Sequence, residues 1–334
     1  MDGDGGRALL REAWPEVTGR PGLTQGRYGA AGNLELVAPA ADDGLWVGWF
    51  NCDPAETHAG AAVGHWSGAL RFARGHRYVS ADITQADAGP DFLEVVALTT
   101  DGALRRHVWS PGPGFVDHGE LAAEVASCSA MVQSPADGSL QVAVAGRDGR
   151  VRIFQASPGP AYPAMTFEAA DPGVAGAVAV DAAWHSDHLD LVTAGADQVA
   201  RSWCAHRADA GAGAGPVREV RLLVDSDGRR LLAALRPDGR ATLRPLDEPG
   251  DGGVDLGAAD ALVAAPVRVG GRTECHVVAR RGRRLWHHRI GQPGAEARPA
   301  PESGAGPVEA GPVEGSPVEA LVWTGPGTTS VHRG

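Results

Sequence analysis

One short phrase recurs seven times along this chain, and no other feature constrains the fold as much. The copies are GNLELVAPAADDGLWVGWFN (32–51), DFLEVVALTTDGALRRHVWS (91–110), GSLQVAVAGRDGRVRIFQ (138–155), DHLDLVTAGADQVARSWC (187–204), RRLLAALRPDGRATLRPL (229–246), RTECHVVARRGRRLWHHRI (272–290) and SPVEALVWTGPGTTSVHR (316–333). In each, an apolar run leads into a tight turn and a second run leads out. A unit of that kind cannot bury its own apolar face, so neighbouring copies must pack on one another.

The third copy shows the local logic. Leu140, Val142 and Val144 alternate with Gln141, Ala143 and Ala145, the period-two pattern of a strand. Asp148-Gly149 follows, a pair suited to a tight hairpin whose two central residues both take positive φ. Val151 and Ile153 then alternate with Arg152 and Phe154 to give the return strand. Asp43-Gly44, Asp101-Gly102 and Asp238-Gly239 mark the same turn elsewhere, while copies six and seven keep only Gly282 and Gly327. A further apolar stretch precedes several hairpins, as at Val79–Ile83, Ser129–Val132, Ala177–Val180 and Arg221–Val224. A weaker one follows some of them, as at Ala69–Phe72 and Ala164–Phe167. Four strands in about 40–50 residues is the size of one propeller blade.

The pattern therefore predicts an all-β, seven-bladed β-propeller around a central channel, with residues 21–334 as a single domain. The last copy runs to the end of the chain, so its outermost strand needs another source. The apolar stretch Ala8–Trp14, within an N-terminal segment 1–20, is expected to complete the last blade and close the ring, because an open ring leaves strand edges bare. Ala208–Gly215 and the Pro/Gly/Glu-rich Gly291–Ser316 bury no apolar area and read as loops.

Charge narrows the partners. All 30 basic residues are Arg, against 41 acids, for a formal net charge of −11. Such a chain is a poor match for nucleic-acid backbones or anionic membranes, and neither is expected as a partner. The N-terminus carries acids where a signal peptide needs bases, and no stretch approaches 18 apolar residues, so the expected location is the cytoplasm. Cys52, Cys128, Cys204 and Cys275 fall in four different copies with no CxxC spacing, and are expected to be buried free thiols. The sequence leaves the oligomeric state open.

Leu93-Glu94-Val95-Val96 with Asp101-Gly102-Ala103-Leu104, and the stretch Leu285-Trp286-His287-His288, resemble the bacterial seven-bladed propellers of the Photorhabdus lectin-like group. The resemblance covers nearly the whole chain. It implies a fucose-type sugar ligand, held in pockets between adjacent blades and lined by Trp and polar side chains. The aromatic positions are kept unevenly here: copies three, five and seven lack Trp on the return strand, so few pockets are expected.

Four groups are candidate chemistry. The first is a set of acids on the strand entering each turn, Glu35, Glu94, Asp190, Glu274 and Glu319, with Gln141 and Leu232 in copies three and five. They can accept hydrogen bonds from ligand hydroxyls, but their repetition equally suits bonding between blades. The second is the aromatic set Trp46, Trp49, Trp109, Trp203 and Trp286, whose faces suit sugar C–H groups and equally suit packing between blades. The third is Trp184-His185-Ser186-Asp187-His188-Leu189-Asp190, dense in metal-ligand types but placed like a turn; with no further ligand in sight, no metal site is expected. The fourth is basic: Arg105, Arg106 and His107, then Arg283, Arg284, His287, His288 and Arg289, with His332 and Arg333, which suit an anion-attracting rim or a general base. No nucleotide, hydrolase or metalloprotease motif appears, and no cofactor is implied.

The leading expectation is a lectin-like module for a sugar or other small hydroxylated ligand, through Trp46, Trp109, Trp203, Trp286, Arg105 and Glu94. One alternative is an enzyme with a single site at one end of the channel, using His107, His287 or His288 as acid and base. Another is a protein-interaction scaffold.

Overall fold

The computed structural model describes residues 15–27, 32–52, 66–87, 92–160, 162–204, 207–209, 215–225, 228–246, 253–269, 272–291, 319–323 and 329–332. Among them there is no helix; the strands form six sheets. Sheet one runs Gly22–Gln25, Leu34–Pro39, Leu45–Phe50, Leu70–Phe72, and sheet two Tyr78–Gln85, Leu93–Thr99, Leu104–Ser110, Gly114–Ala122. Sheet three pairs Val125–Cys128 and Val132–Gln133 with Leu140–Gly146, then Val151–Ala156 and Glu168–Ala170. Sheet four is Ala177–His185, His188–Gly195, Ala200–Cys204, Arg207–Asp209, and sheet five Glu219–Val224, Arg230–Leu235, Arg240–Pro245, Val254–Ala258. Sheet six is Ala261–Val269, Arg272–Arg281, Arg284–Gly291, Glu319–Trp323, Thr329–His332. All pairings are antiparallel except that of Glu319–Trp323 with Arg284–Gly291, which is parallel.

The expected seven blades are therefore six. The seventh copy does form a hairpin, but it lies along the outer edge of sheet six. A blade of its own needs an apolar inner strand, and the 25 or so residues before this hairpin are Pro, Gly, Ala and Glu with almost none of that character. The outer edge of the last sheet is thus covered from the C-terminal side; the stretch Ala8–Trp14 lies outside the described residues. One expected outer strand also shifts: sheet three ends on Glu168–Ala170, not on Ala164–Phe167.

Six apolar clusters hold the sheets together, one at each junction, including Leu34, Leu36 and Phe50 of sheet one against Val263, Val267 and Val278 of sheet six. The second strand of each sheet is covered on both faces. Leu93–Thr99 and Leu140–Gly146 are buried throughout, whereas the outer strand Glu168–Ala170 is exposed throughout. Each fully buried Leu or Val in these strands contributes about 1.5–3 kcal/mol.

The hairpin turns are longer than expected. In sheet three Gly146 and Arg150 close the turn, Gly149 N–H donates to Gly146 O, and only Gly149 takes positive φ, at 75°. The Asp148 carboxylate accepts from Arg150 N–H at 3.0 Å. This is a type I turn followed by one left-handed residue, a common three-residue hairpin connection. Gly102 and Gly239 take the same place, and in sheet four Gln198 does so at φ 62°.

A glutamine clasp joins sheets one, two and three to the sheet before each. Gln25 donates to Gly32 O in its own sheet and accepts from Arg268 N–H of sheet six at 2.9 Å. Gln85 accepts from Arg27 N–H at 2.7 Å and donates to Phe92 O; Gln133 accepts from Asp87 N–H at 2.6 Å and donates to Gly138 O. Sheets two and five are not consecutive, yet Arg221 Nη2 of sheet five lies 3.7 Å from Asp82 Oδ2 of sheet two. Arg221 also pairs with Asp181 at 3.0 Å, and Arg20 pairs with Asp82 and donates to Cys128 O at 2.9 Å. Burial lifts Asp82 to about 6, Glu219 to about 7 and Asp181 to about 8.

Candidate functional site

The ladder pairs Pro39↔Leu45, Leu98↔Leu104, Ala145↔Val151, Ala194↔Ala200, Leu235↔Ala241 and Arg280↔Leu285 give a common register. Four residues before each pair stand Glu35, Glu94, Gln141, Asp190, Leu231 and His276; two residues after it stand Val47, Arg106, Ile153, Ser202, Leu243 and His287. Both places share one face of the hairpin, the face turned toward the following sheet. Two expected members are corrected. In sheet five the place belongs to Leu231, since Leu232 packs toward sheet four, and in sheet six it belongs to His276 rather than Glu274. Aligning Val95-Val96-Ala97 with Val277-Val278-Ala279 finds His276 directly.

At the junction of sheets two and three an acid meets a guanidinium. Glu94 is fully buried and Arg106 is 3% exposed. They form a two-pronged pair, Nε to Oε2 at 2.8 Å and Nη2 to Oε1 at 2.6 Å. From sheet three's side the Tyr162 hydroxyl donates to Glu94 Oε1 at 2.8 Å, and Arg106 Nη1 donates to Pro163 O at 2.7 Å. Phe167 lies under the Arg106 guanidinium at 5.5 Å, and Phe92 meets Tyr162 edge-on at 5.0 Å. Burial beside the Glu94 charge pushes the Tyr162 hydroxyl well above its ordinary pKa. A cleft of about 510 Å³, lined by Glu124, Val144, Arg147, Asp148, Arg152 and Phe154 among others, opens at the same junction.

The other junctions differ. Glu35, between sheets one and two, is pushed up to about 8 by burial. Asp190 reaches Arg230 of sheet five at 3.1 Å. His276 Nδ1 and His287 Nε2 are 2.8 Å apart; Trp66 Nε1 donates to His287 Nδ1 at 3.3 Å, and His276 Nε2 lies 3.3 Å from Glu274. That chain of contacts is satisfied with both imidazoles neutral.

The predicted ligand set does not converge. Arg105, His107 and Trp109 face the opposite side of sheet two from Glu94, toward sheet one. Arg105 pairs with Asp117 at 2.6 Å. His107 is packed by Phe72 and Tyr78, and burial pushes it down to about 4. Trp109 lies opposite Phe115. Trp46 stacks under Arg71 at 5.2 Å, Trp286 under Arg281 at 4.7 Å, and Trp203 Nε1 donates to Thr193 Oγ1 at 3.1 Å. Trp46 and Trp286 share a register place, but Trp203 and Trp109 stand two and four residues further along, so the four build no repeated pocket. His107 and His287 sit in different sheets, and the side chain of His288 lies outside the described residues. Cys128 and Cys275 are buried and Cys52 half-buried, none of them in a disulfide, and Cys204's side chain lies outside the described residues.

No protein-family model and no curated protein sequence matches the chain. Solved structures share its fold. AofleA from Arthrobotrys oligospora aligns at TM-score 0.55 and 10% identity, over 83% of this chain and 85% of that one. The fucose-specific lectin from Aleuria aurantia aligns at 0.55 and 12%, over 82% and 93%. The BP39L lectin from Burkholderia pseudomallei aligns at 0.52 and 15%, over 78% of each.

Proposed function

We propose that this chain is a lectin-like binding module for a sugar or other small hydroxylated ligand, and that its working site is the junction of sheets two and three. The observation that carries this is the Glu94–Arg106 pair with Tyr162 and Phe167 beside it. Among the six register places it alone combines an acid with an arginine. A hydroxyl can donate to Glu94 and accept from Arg106 at once, and an aromatic face suits the C–H side of a pyranose. The Tyr162 hydroxyl and Pro163 carbonyl now hold the places two ligand oxygens would take, so binding requires this short segment to withdraw. The neighbours named as fucose lectins make an α-methyl-fucoside the first ligand to try.

The wider reading is a closed ring in which the segment before sheet one helps join it to sheet six. The Val17 N–H bond to Arg283 O at 3.0 Å and the shared cluster of those two sheets support it. The absence of a nucleic-acid or membrane partner is part of the proposal on the acidic charge, and a cytoplasmic location on the acidic N-terminal stretch; no described helix is long and apolar enough to cross a membrane. A glycan array with purified protein tests the function. Fucosylated or related glycans should give signal that Glu94→Gln abolishes and Tyr162→Phe strengthens. A blank array, or signal unchanged by both variants, would reject this site.

A further inference from the structure

Sheet four carries a second cluster of different chemistry. The inner strand Ala177–His185 and the strand His188–Gly195 are joined by a tight turn, with Ser186 at φ 58° and His185 directly across from His188. Asp190 follows His188 by two residues on the same face. The spacing that looks like a plain turn in sequence therefore brings two imidazoles and a carboxylate together. One donor atom from each lies within 4.8 Å of the others.

Three details point to a cation. Asp190 is 1% exposed, and its Oδ1 accepts no hydrogen bond; His185 Nδ1 is likewise buried and unbonded. His188 Nδ1 is 2.9 Å from Asp187 Oδ1; with the ring proton on that nitrogen, Nε2 presents its lone pair to Asp190 Oδ1, 3.1 Å away. In that tautomer two lone pairs face each other, and a metal ion or a second ring proton between them satisfies both. His185 Nδ1 lies 3.4 Å from Asp190 Oδ2. Two donors about 2.1 Å from one metal ion stand roughly 3.0–3.4 Å apart, depending on whether it is octahedral or tetrahedral, and the 3.1 Å between His188 Nε2 and Asp190 Oδ1 falls in that range.

We propose that His185, His188 and Asp190 form a site for a divalent first-row metal of the zinc type, with at least one coordination position left for water or a ligand oxygen. Two imidazoles and one carboxylate are a donor set that suits zinc and its neighbours better than calcium or magnesium. The surroundings fit the role. Asp187 orients the His188 ring, as carboxylates commonly do behind metal-bound histidines. Arg230 of sheet five holds Asp190 Oδ2 at 3.1 Å, which fixes the carboxylate and leaves Oδ1 to the metal. The bound ion would tie the exposed turn of sheet four to the junction with sheet five.

The test uses the full chain without a purification tag, stripped of metal and titrated with Zn²⁺ by calorimetry, then with Co²⁺ by visible absorption. The expected result is about one equivalent of zinc per chain and a cobalt d–d spectrum. His185→Ala and His188→Ala should each abolish both, and Asp187→Asn should weaken zinc by about tenfold or more. The two histidines are half-buried at a turn, so these variants should fold even if Asp190→Asn does not. No zinc binding by the native chain, or binding that persists in both histidine variants, would overturn the proposal.

Discussion

Sheets two and four carry an acid at the same register place, and the residue two positions past the turn separates their fates. In sheet two that residue is Arg106, which grips both oxygens of Glu94 from within the same hairpin. In sheet four it is Ser202, so Asp190 takes its arginine from the next sheet, on one oxygen only, and its second oxygen faces His188. One hairpin geometry thus yields a closed polar pair in one junction and an open ligand set in another. Neither outcome is visible from the acid alone.

The sharpest way to break this contrast is to remove the arginine. Arg106→Ala strands Glu94 in the interior and should cost about 3–5 kcal/mol in denaturant unfolding, most of it recovered when Glu94→Leu and Arg106→Leu are combined. Arg230→Ala removes a contact to one oxygen only and should cost less, about 1–3 kcal/mol. Equal costs at the two sites would erase the distinction.

Glu35 extends the comparison to an acid that burial alone governs. Its folded pKa of about 8 lies above the unfolded value, so the folded state binds the proton more tightly. That contribution is complete below about pH 4 and is lost as pH rises through about 8. Glu35→Gln should therefore stabilise the protein by on the order of a few kcal/mol at pH 8.5 and change little near pH 4; a pH-independent effect would contradict the burial of a proton-holding carboxyl.

Smaller effects belong to the turns and clasps. Gly149→Val should cost about 1–2 kcal/mol, while Gln198→Gly, at the same left-handed place in sheet four, should gain about 1 kcal/mol in thermal unfolding. Gln85→Ala should cost about 1 kcal/mol and speed amide exchange at Arg27, whose N–H it holds.

The hairpins were legible because period-two runs and Asp-Gly turns are local signals. The blade count was not, because counting turns counts hairpins, and a blade also needs an inner strand that Gly291–Ser316 lacks the residues to supply. The pairing of Glu94 with Arg106, not Arg105, follows from the length of the turn: a three-residue connection sets Val96 opposite Arg106 and puts Arg105 on the other face. Reading Asp101-Gly102 as a two-residue turn hides that parity. Tyr162 was beyond reach, since it comes from a loop of the next sheet whose approach no periodicity encodes. The His185–Asp190 stretch reads in sequence as a turn with no further ligand in sight; its convergence comes from the cross-strand placement of His185 against His188.

The stoichiometry of sugar binding tests the central claim most directly. Calorimetric titration with α-methyl-fucoside should give about one site per chain, lost in Glu94→Gln and retained in Gln198→Gly, in the turn of sheet four. Several equivalent sites per chain, or one that survives Glu94→Gln, would contradict the assignment of binding to the junction of sheets two and three.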